Sequence, residues 1–147
     1  MGLVKTAYDI SRKQVFYCRA NDTLAEVARK LHKNNVGSIL VKGNGDSIGL
    51  ITVNDMLRHM HKNMDTLAYR AKDIMSSPLI TVSRDIEIDN LVEMFNKHKV
   101  SRMVLKDNDG CICGVVRDIA VYKYMTFFKY DKQIGKMFAR DHLHKLY

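Results

Sequence analysis

The apolar and polar residues along the chain follow the same order twice. Ala7, Asp9 and Ile10 are matched 64 positions later by Ala71, Asp73 and Ile74. The same offset relates residues 15–18 to residues 79–82, two runs rich in β-branched and aromatic side chains. Such runs predict short buried strands. An internal repeat of this length indicates two structural units built on one plan.

Each copy continues with a predicted amphipathic helix. Its apolar residues have the i, i+3, i+4, i+7 spacing of one buried stripe: Leu24, Val27, Ala28 and Leu31 in the first copy, and Ile88, Leu91, Val92 and Phe95 in the second. Thr23 and Glu26 have the spacing of a capping box, which indicates the start of the first helix.

A predicted hairpin and a second helix complete each copy. Strands at 39–41 and 49–51 flank Asn44-Gly45, and strands at 103–105 and 114–116 flank Asp109-Gly110, dipeptides that suit tight turns. The second turn is one residue longer, so the offset becomes 65 beyond it. The closing helices carry Met56, Leu57 and Met60 in the first copy and Val121, Tyr122 and Met125 in the second.

These elements predict an α/β fold of the α+β type with two β-α-β-β-α motifs, at residues 6–66 and 67–128. A unit of about 60 residues buries little apolar surface alone. We therefore expect the copies to cover each other about a pseudo-twofold axis, with clefts that favour small ligands.

Residues 129–147 follow the repeats and are expected to form a C-terminal amphipathic helix. Packing on the module or across a dimer is the favoured use of this helix. A basic groove for nucleic acid, or docking on a partner protein, is the alternative. Its apolar side carries Ile134, Met137 and Phe138, and its basic side carries Lys132, Lys136 and Arg140.

The composition indicates a folded, soluble protein, with 46% apolar and 27% charged residues. The sequence has no apolar run of the roughly 18 residues that span a membrane and no signal-peptide core. Three cysteines without framework spacing favour a reducing compartment, so we expect a cytoplasmic protein that does not associate with membranes. The net charge of +8 suggests nucleotide phosphates, nucleic acid or an acidic protein surface as partners, without choosing among them.

Neither metal binding nor catalysis is predicted. Cys111 and Cys113 alternate on a predicted strand with no further cysteine nearby, and His59 and His61 are two apart on a helix, where their side chains diverge into solvent. His142 and His144 have the same spacing. The sequence contains no phosphate-binding glycine loop, nucleophile with a base, or paired carboxylates, so we expect no enzyme activity.

Three segments identify a family. The segment 49–55 reads Gly-Leu-Ile-Thr-Val-Asn-Asp, and it accompanies Val-Gly-Ser-Ile-Leu-Val at 36–41 and Val-Ser-Arg-Met-Val-Leu at 100–105. Together with the repeat, they resemble the CBS (cystathionine β-synthase) domain family over roughly Thr6 to Phe127. The resemblance implies a tandem pair that binds AMP, ADP, ATP or S-adenosylmethionine and forms a homodimer.

The chemistry of Thr52 and Asp55 agrees with that role. Thr52 ends a predicted strand and opens a helix, where its hydroxyl and the unpaired amides of the first turn suit a phosphate. Asp55, one turn on, can accept from both hydroxyls of a ribose. The alternative is that this Thr-x-x-Asp is a helix cap, which needs no ligand.

The resemblance implies the other residues of the nucleotide site. Ile80 and Val100 would flank the adenine, although ordinary core packing explains these residues equally well. Gly37 and Ser38 hold the positions of phosphate contacts, where some relatives have basic residues. The remaining implied contacts are Met75, Pro78 and Ser101.

The second motif departs from the family pattern. Arg117 replaces the Thr or Ser, and Ala120 replaces the ribose-binding Asp. Asp118, two residues before Ala120, would point about 200° away on a helix. We therefore expect one good nucleotide site per chain, with a second cleft that is empty, degenerate or used by another anion. This cleft would be near Ser11, Gln14, Phe16, Arg102 and Arg117.

Three functions are consistent with these features. The favoured one is a sensor whose ligand alters how the module is presented to a regulated protein. The alternatives are a basic nucleic-acid-binding protein and a ligand-free dimerisation scaffold. The expected dimer surface is apolar and contains Met56, Met60, Val121, Tyr122 and Met125.

Overall fold

The structure is a computed structural model that describes Val4, residues 6–62 and residues 65–126. A short 3-10 helix at Ala7–Ile10 comes first. The other elements are β1 (Tyr17–Arg19), α1 (Leu24–Lys33), β2 (Ser38–Lys42), β3 (Ser47–Thr52), α2 (Val53–Lys62), α3 (Ala71–Ile74), β4 (Thr81–Ser83), α4 (Ile88–His98), β5 (Arg102–Lys106), β6 (Ile112–Arg117) and α5 (Asp118–Tyr124).

Two three-stranded sheets have the same topology, in the orders β1-β2-β3 and β4-β5-β6. In each sheet the first strand is parallel to the second, and the second forms an antiparallel hairpin with the third. Tyr17 pairs with Leu40 in one sheet, and Thr81 pairs with Val104 in the other, so even the register repeats at the predicted offset. The mixed α/β fold with two equivalent motifs is confirmed.

The chain forms two compact units that differ from the two linear halves. The first unit contains residues 15–79, and the second contains the residues up to Gln14 together with those from Ile80 onward. The N-terminal 3-10 helix therefore belongs to the β4-β5-β6 sheet, where the Ala7 amide donates to the Ile86 carbonyl at 2.9 Å. Helix α3 belongs to the first unit, where the Ala71 amide donates to Asp22 O at 2.8 Å.

Each unit has its own apolar core between its helices and one face of its sheet. In each unit the two longer helices bury one apolar face in the core, as their apolar spacing predicted, and the sheet supplies further buried side chains. The first core contains Leu24, Val27, Leu31, Ile39, Val41, Ile51 and Met56. The second contains Ile88, Leu91, Phe95, Met103, Leu105, Val116 and Val121.

The predicted cap and turns are present. The Thr23 amide donates to Glu26 Oε2 at 2.8 Å, and the Glu26 amide donates to Thr23 Oγ1 at 3.2 Å, a reciprocal capping box. Gly45 and Gly110 have φ angles of +95° and +77° in the two hairpin turns, a region open to glycine because it lacks a Cβ.

Several local predictions were wrong. The strands predicted at 15–18 and 79–82 begin later, at Tyr17 and Thr81. Ala28, predicted in the buried stripe, is exposed because α1 buries a narrower face. The predicted C-terminal helix at 129–147 lies outside the described residues.

The expected apolar dimer surface also needs correction. Met56 and Val121 belong to the two cores and are only 5% and 1% exposed. Tyr122, which was expected on this surface, is 51% exposed, and Leu57, which was not, is 58% exposed. Because these neighbours are one position away on a helix, a 100° rotation separates the core face from the exposed face.

In the part of the chain that the structure describes, every helix is too short or too polar to cross a membrane.

Thr23→Ala should lower the free energy of unfolding by about 1 kcal/mol, because it removes the side-chain acceptor at the start of α1. Glu87→Ala is the matched control, since Glu87 is the N-cap residue of α4 but makes no side-chain cap hydrogen bond. Urea unfolding followed by circular dichroism measures both. Equal losses in the two variants would contradict a specific capping role for Thr23.

Candidate functional site

A strand-to-helix junction brings together four of the predicted site residues. Ser38 at the start of β2 pairs with Thr52 at the end of β3. The Val53 amide, the first of α2, donates to the Gly37 carbonyl at 3.0 Å. We call this place, made by Gly37, Ser38, Thr52 and Asp55, the first junction.

Thr52 and Asp55 form a reciprocal helix cap at this junction. The Thr52 amide donates to Asp55 Oδ2 at 2.9 Å, and the Asp55 amide donates to Thr52 Oγ1 at 3.1 Å. The capping geometry of the alternative interpretation is therefore real. The cap uses one oxygen of the Asp55 carboxylate and one acceptor position of the Thr52 hydroxyl.

The second oxygen of Asp55 has a weaker contact. Arg58 Nη1 lies 3.4 Å from Oδ1, and the Arg58 side chain is 69% exposed whereas that of Asp55 is 14% exposed. An exposed ion pair of this kind contributes little to stability. Sequence reasoning overlooked Arg58, although its i, i+3 spacing from Asp55 was a usable signal.

Met75 packs against the strand that leads to Thr52. Ser76 and Leu50 exchange backbone hydrogen bonds of 2.8 and 3.1 Å, so the segment after α3 pairs with β3. A Cβ on Gly49 would lie 2.5 Å from Met75 Sδ, which explains the glycine at this position. Pro78, two residues beyond Ser76, is exposed.

The remaining predicted contacts belong to the second unit. Ile80 and Val100 are half-buried against its core, as ordinary packing would have them. Ser101 is exposed, and its carbonyl accepts from the Asp118 amide at 2.9 Å. This hydrogen bond repeats the one between Val53 and Gly37, so the second unit has an equivalent second junction, made by Ser101, Arg102, Arg117 and Ala120.

The second junction carries different chemistry. Arg102 and Arg117 are paired across β5 and β6, where the first junction has Ser38 and Thr52. Arg117 is the N-cap residue of α5 without a side-chain cap bond. Ala120, which replaces the Asp of the pattern, is 2% exposed. This junction therefore lacks the hydroxyl-carboxylate pair of the first.

The other residues predicted near the second cleft are divided between the two units. Ser11 is buried, and its hydroxyl donates to the Tyr8 carbonyl at 2.9 Å. Gln14 is exposed and, like Ser11, belongs to the second unit. Phe16 belongs to the first unit, where it packs partly against the core.

The cysteine and histidine side chains give no metal site within the described residues, where no three His, Cys, Asp or Glu side chains form a suitable group. Burial raises the pKa of Cys18 to about 11 and also raises the pKa of Cys113. His59 is not solvated as predicted. Its Nε2 is buried without a hydrogen-bond partner among the residues that the structure describes, and its ring contacts Tyr69 edge-on at 4.4 Å between centroids.

A comparison with known protein families finds the same repeat that the topology shows. The CBS domain family matches twice, at residues 7–62 and 71–126. The chain belongs to the CBS domain family and carries two of its domains in tandem.

Known relatives match the chain at low sequence identity. An uncharacterized protein of Methanopyrus kandleri is 30% identical over 74% of this chain and 56% of its own length. The chain thus spans little more than half of this relative, and it spans 38% and 23% of two others, both from Methanocaldococcus jannaschii.

Solved structures show the same fold. A CBS-domain containing protein from Agrobacterium tumefaciens superposes with a TM-score of 0.72 at 18% identity, over 84% of this chain and 95% of its own. The CBS domain of a bacterial CNNM/CorC family Mg²⁺ transporter, solved in complex with ATP, superposes with a TM-score of 0.68 at 16% identity, over 82% and 87% of the two chains.

Thiol labelling should distinguish the three cysteines. Because the thiolate is the reactive species and Cys18 is buried with a raised pKa, a maleimide at neutral pH should label exposed Cys111 first and Cys18 only after unfolding. Mass spectrometry of the native protein reports the order. Cys111→Ser should remove the fast phase, and rapid native labelling of Cys18 would contradict its burial.

Proposed function

We propose that this CBS pair is a non-catalytic regulatory module that binds an adenine nucleotide or adenosyl ligand at the first junction. AMP, ADP, ATP and S-adenosylmethionine are the candidate ligands. The observation that carries the proposal is the position of Thr52 and Asp55 at the start of α2, beside Gly37 and Ser38. A nucleotide complex of a structural neighbour, the ATP-bound transporter domain, supports the ligand class.

The cap at the first junction is compatible with a ligand. Thr52 Oγ1 accepts one hydrogen bond and can still donate its own hydrogen to a phosphate or ribose oxygen. Among the described residues, Asp55 Oδ1 has one long contact, with exposed Arg58, so a ribose hydroxyl can compete for it. The capping bonds also hold both side chains in place before the ligand arrives, which lowers the entropy cost of binding.

Met75 and Pro78 of the first unit are proposed to contribute further contacts. Ile80, Val100 and Ser101, which belong to the second unit, remain predicted ligand contacts by resemblance to the family. A regulatory role is proposed because the first junction offers hydrogen-bonding groups for a ligand, a helix cap beside a neutral Gly-Ser segment. Ligand binding is proposed to act by changing how the module is presented to a regulated protein.

Asp55→Ala should weaken adenine-ligand binding by about 1.5–3 kcal/mol, the range for a hydrogen bond to a charged group. Isothermal titration calorimetry with AMP, ADP, ATP and S-adenosylmethionine, with and without Mg²⁺, measures the affinity and the stoichiometry. About one ligand per chain is expected because Ala120 and Arg117 leave the second junction without the required pair.

Controls separate ligand contact from capping. Asp55→Asn keeps an acceptor oxygen for the Thr52 amide, so it should retain stability while losing much of the affinity. Glu26→Ala removes the equivalent capping acceptor of α1 and should lower stability without affecting the ligand. If no adenine ligand binds the wild-type protein, the scaffold interpretation replaces the proposal, and if Asp55→Ala binds normally, the pair is only a cap.

We also propose that the module forms a homodimer through exposed apolar side chains of α2 and α5. Leu57→Glu and Tyr122→Glu should each shift the dimer towards monomer, because a charge would replace apolar contact area that is exposed in the single chain. Light scattering at tens of micromolar measures the mass. Lys62→Glu, an exposed charge reversal also on α2, is the control, and a monomeric wild-type protein would contradict the proposal.

A further inference from the structure

Two equivalent helices carry opposite charges on their solvent sides. Arg29 on α1 and Glu93 on α4 are related by the repeat offset of 64, and both are exposed. A separation of two residues corresponds to about 200° around a helix, so a residue two positions from buried neighbours lies opposite the core. Each of the two has such neighbours on both sides, Val27 and Leu31 on α1, and Leu91 and Phe95 on α4.

Neighbouring residues extend this difference in charge. Lys33 follows Arg29 by four residues, so two exposed cations share one side of α1, where like charges repel. Asp89 precedes Glu93 by four residues, so two exposed carboxylates share the equivalent side of α4. One exposed charge of the opposite sign on each helix reduces the difference without reversing it, Glu26 on α1 and Lys97 on α4.

Within the described residues, neither Arg29 nor Glu93 belongs to an ion pair. The ion pairs found there join Lys30 with Asp22, Arg58 with Asp55, and Arg84 with Asp85. The two outermost charges of α1 and α4 can therefore pair with a second molecule without breaking an ion pair of the chain.

The two charged sides belong to equivalent helix layers. α1 packs beside α2, α4 packs beside α5, and each pair of helices covers one face of its own sheet. α2 exposes Leu57 and α5 exposes Tyr122, the side chains proposed above as dimer contacts. The charged sides of α1 and α4 thus lie in the same helix layers as the proposed dimer contacts.

We propose that the homodimer is head-to-tail, with the outer side of α1 in one copy against the outer side of α4 in the second copy. This inference rests on the homodimer proposed above and names its orientation. Because the two units share one backbone plan, shape alone does not distinguish this arrangement from one that places α1 against α1. Charge does, since only the head-to-tail arrangement brings Arg29 towards the partner's Glu93, and the other brings like charges together.

Charge reversal tests the pairing. Arg29→Glu and Glu93→Arg should each raise the dimer dissociation constant roughly 5- to 30-fold at low salt, because a twofold axis makes each change act at two contacts. The double variant Arg29→Glu/Glu93→Arg restores opposite charges and should return to within about threefold of the wild-type constant. Sedimentation velocity of the full chain measures all four proteins.

A control variant and salt separate pairing from net charge. Lys72→Glu makes a similar charge change at an exposed position of α3 and should alter the dissociation constant by less than about twofold, since distant exposed charges are screened. About 0.5 M NaCl should reduce the differences among the variants for the same reason. All these positions are exposed, so circular dichroism should show wild-type unfolding temperatures.

Cross-linking reads the orientation directly. Arg29→Cys and Glu93→Cys are prepared as separate proteins in a background with Cys111→Ser and Cys113→Ser, where the remaining Cys18 is buried. After subunit exchange, a short bismaleimide should join the two proteins in a mixture. Neither protein alone should cross-link to itself, because the head-to-tail arrangement keeps the two copies of one position apart.

The outcomes distinguish the orientation from the dimer itself. If the protein dimerises but the double variant stays as weak as the single variants, or Arg29→Cys cross-links to itself as readily as to Glu93→Cys, the orientation is wrong and the homodimer remains. A monomeric wild-type protein would overturn both proposals. Assemblies larger than a dimer would contradict closure by a twofold axis and would also overturn this inference.

Discussion

The hydrogen bond between the first amide of a helix and the carbonyl that precedes the central strand fixes both junctions. Val53 donates to Gly37 at 3.0 Å, and Asp118 donates to Ser101 at 2.9 Å. The first amides of a helix have no partner within the helix, so an outside carbonyl satisfies one of them. This bond sets the start of the helix beside the start of the central strand, and every candidate contact at the junction depends on that placement.

The residues that cap the helix at the first junction, Thr52 and Asp55, are also the proposed ligand contacts. The two oxygens of Asp55 have different contacts. Oδ2 accepts from the Thr52 amide at 2.9 Å, and Oδ1 has the longer contact with Arg58 at 3.4 Å, which leaves it for the proposed ligand. Capping and ligand binding are therefore not competing explanations of the Thr-x-x-Asp pattern. A carboxylate that is already oriented by a backbone amide is better prepared to bind a ribose than one that is free to rotate.

The two copies share a backbone geometry but differ in the charge of the side chains at their junctions. Register, turns and junction hydrogen bonds repeat closely, whereas the cross-strand pair changes from Ser38 and Thr52 to Arg102 and Arg117. Since backbone geometry is retained, each junction takes its chemistry from its side chains. One fold thereby offers a hydroxyl-carboxylate junction and an arginine-containing junction within a single chain.

The sequence by itself determined the repeat, the order of helices and strands, the capping box at Thr23 and the glycine turns, because each depends on contacts between near neighbours in the chain. It also singled out Thr52 with Asp55, which match a local family pattern, and Arg117 with Ala120, which depart from it. Only the tertiary structure decided that Met56 and Val121 are core residues while Leu57 is exposed, because one helical position separates the two faces. The tertiary structure also assigned the N-terminal 3-10 helix to the unit of the β4-β5-β6 sheet and paired Arg102 directly with Arg117. Both results depend on hydrogen bonds between different segments of the chain, which the periodicity of apolar residues does not encode.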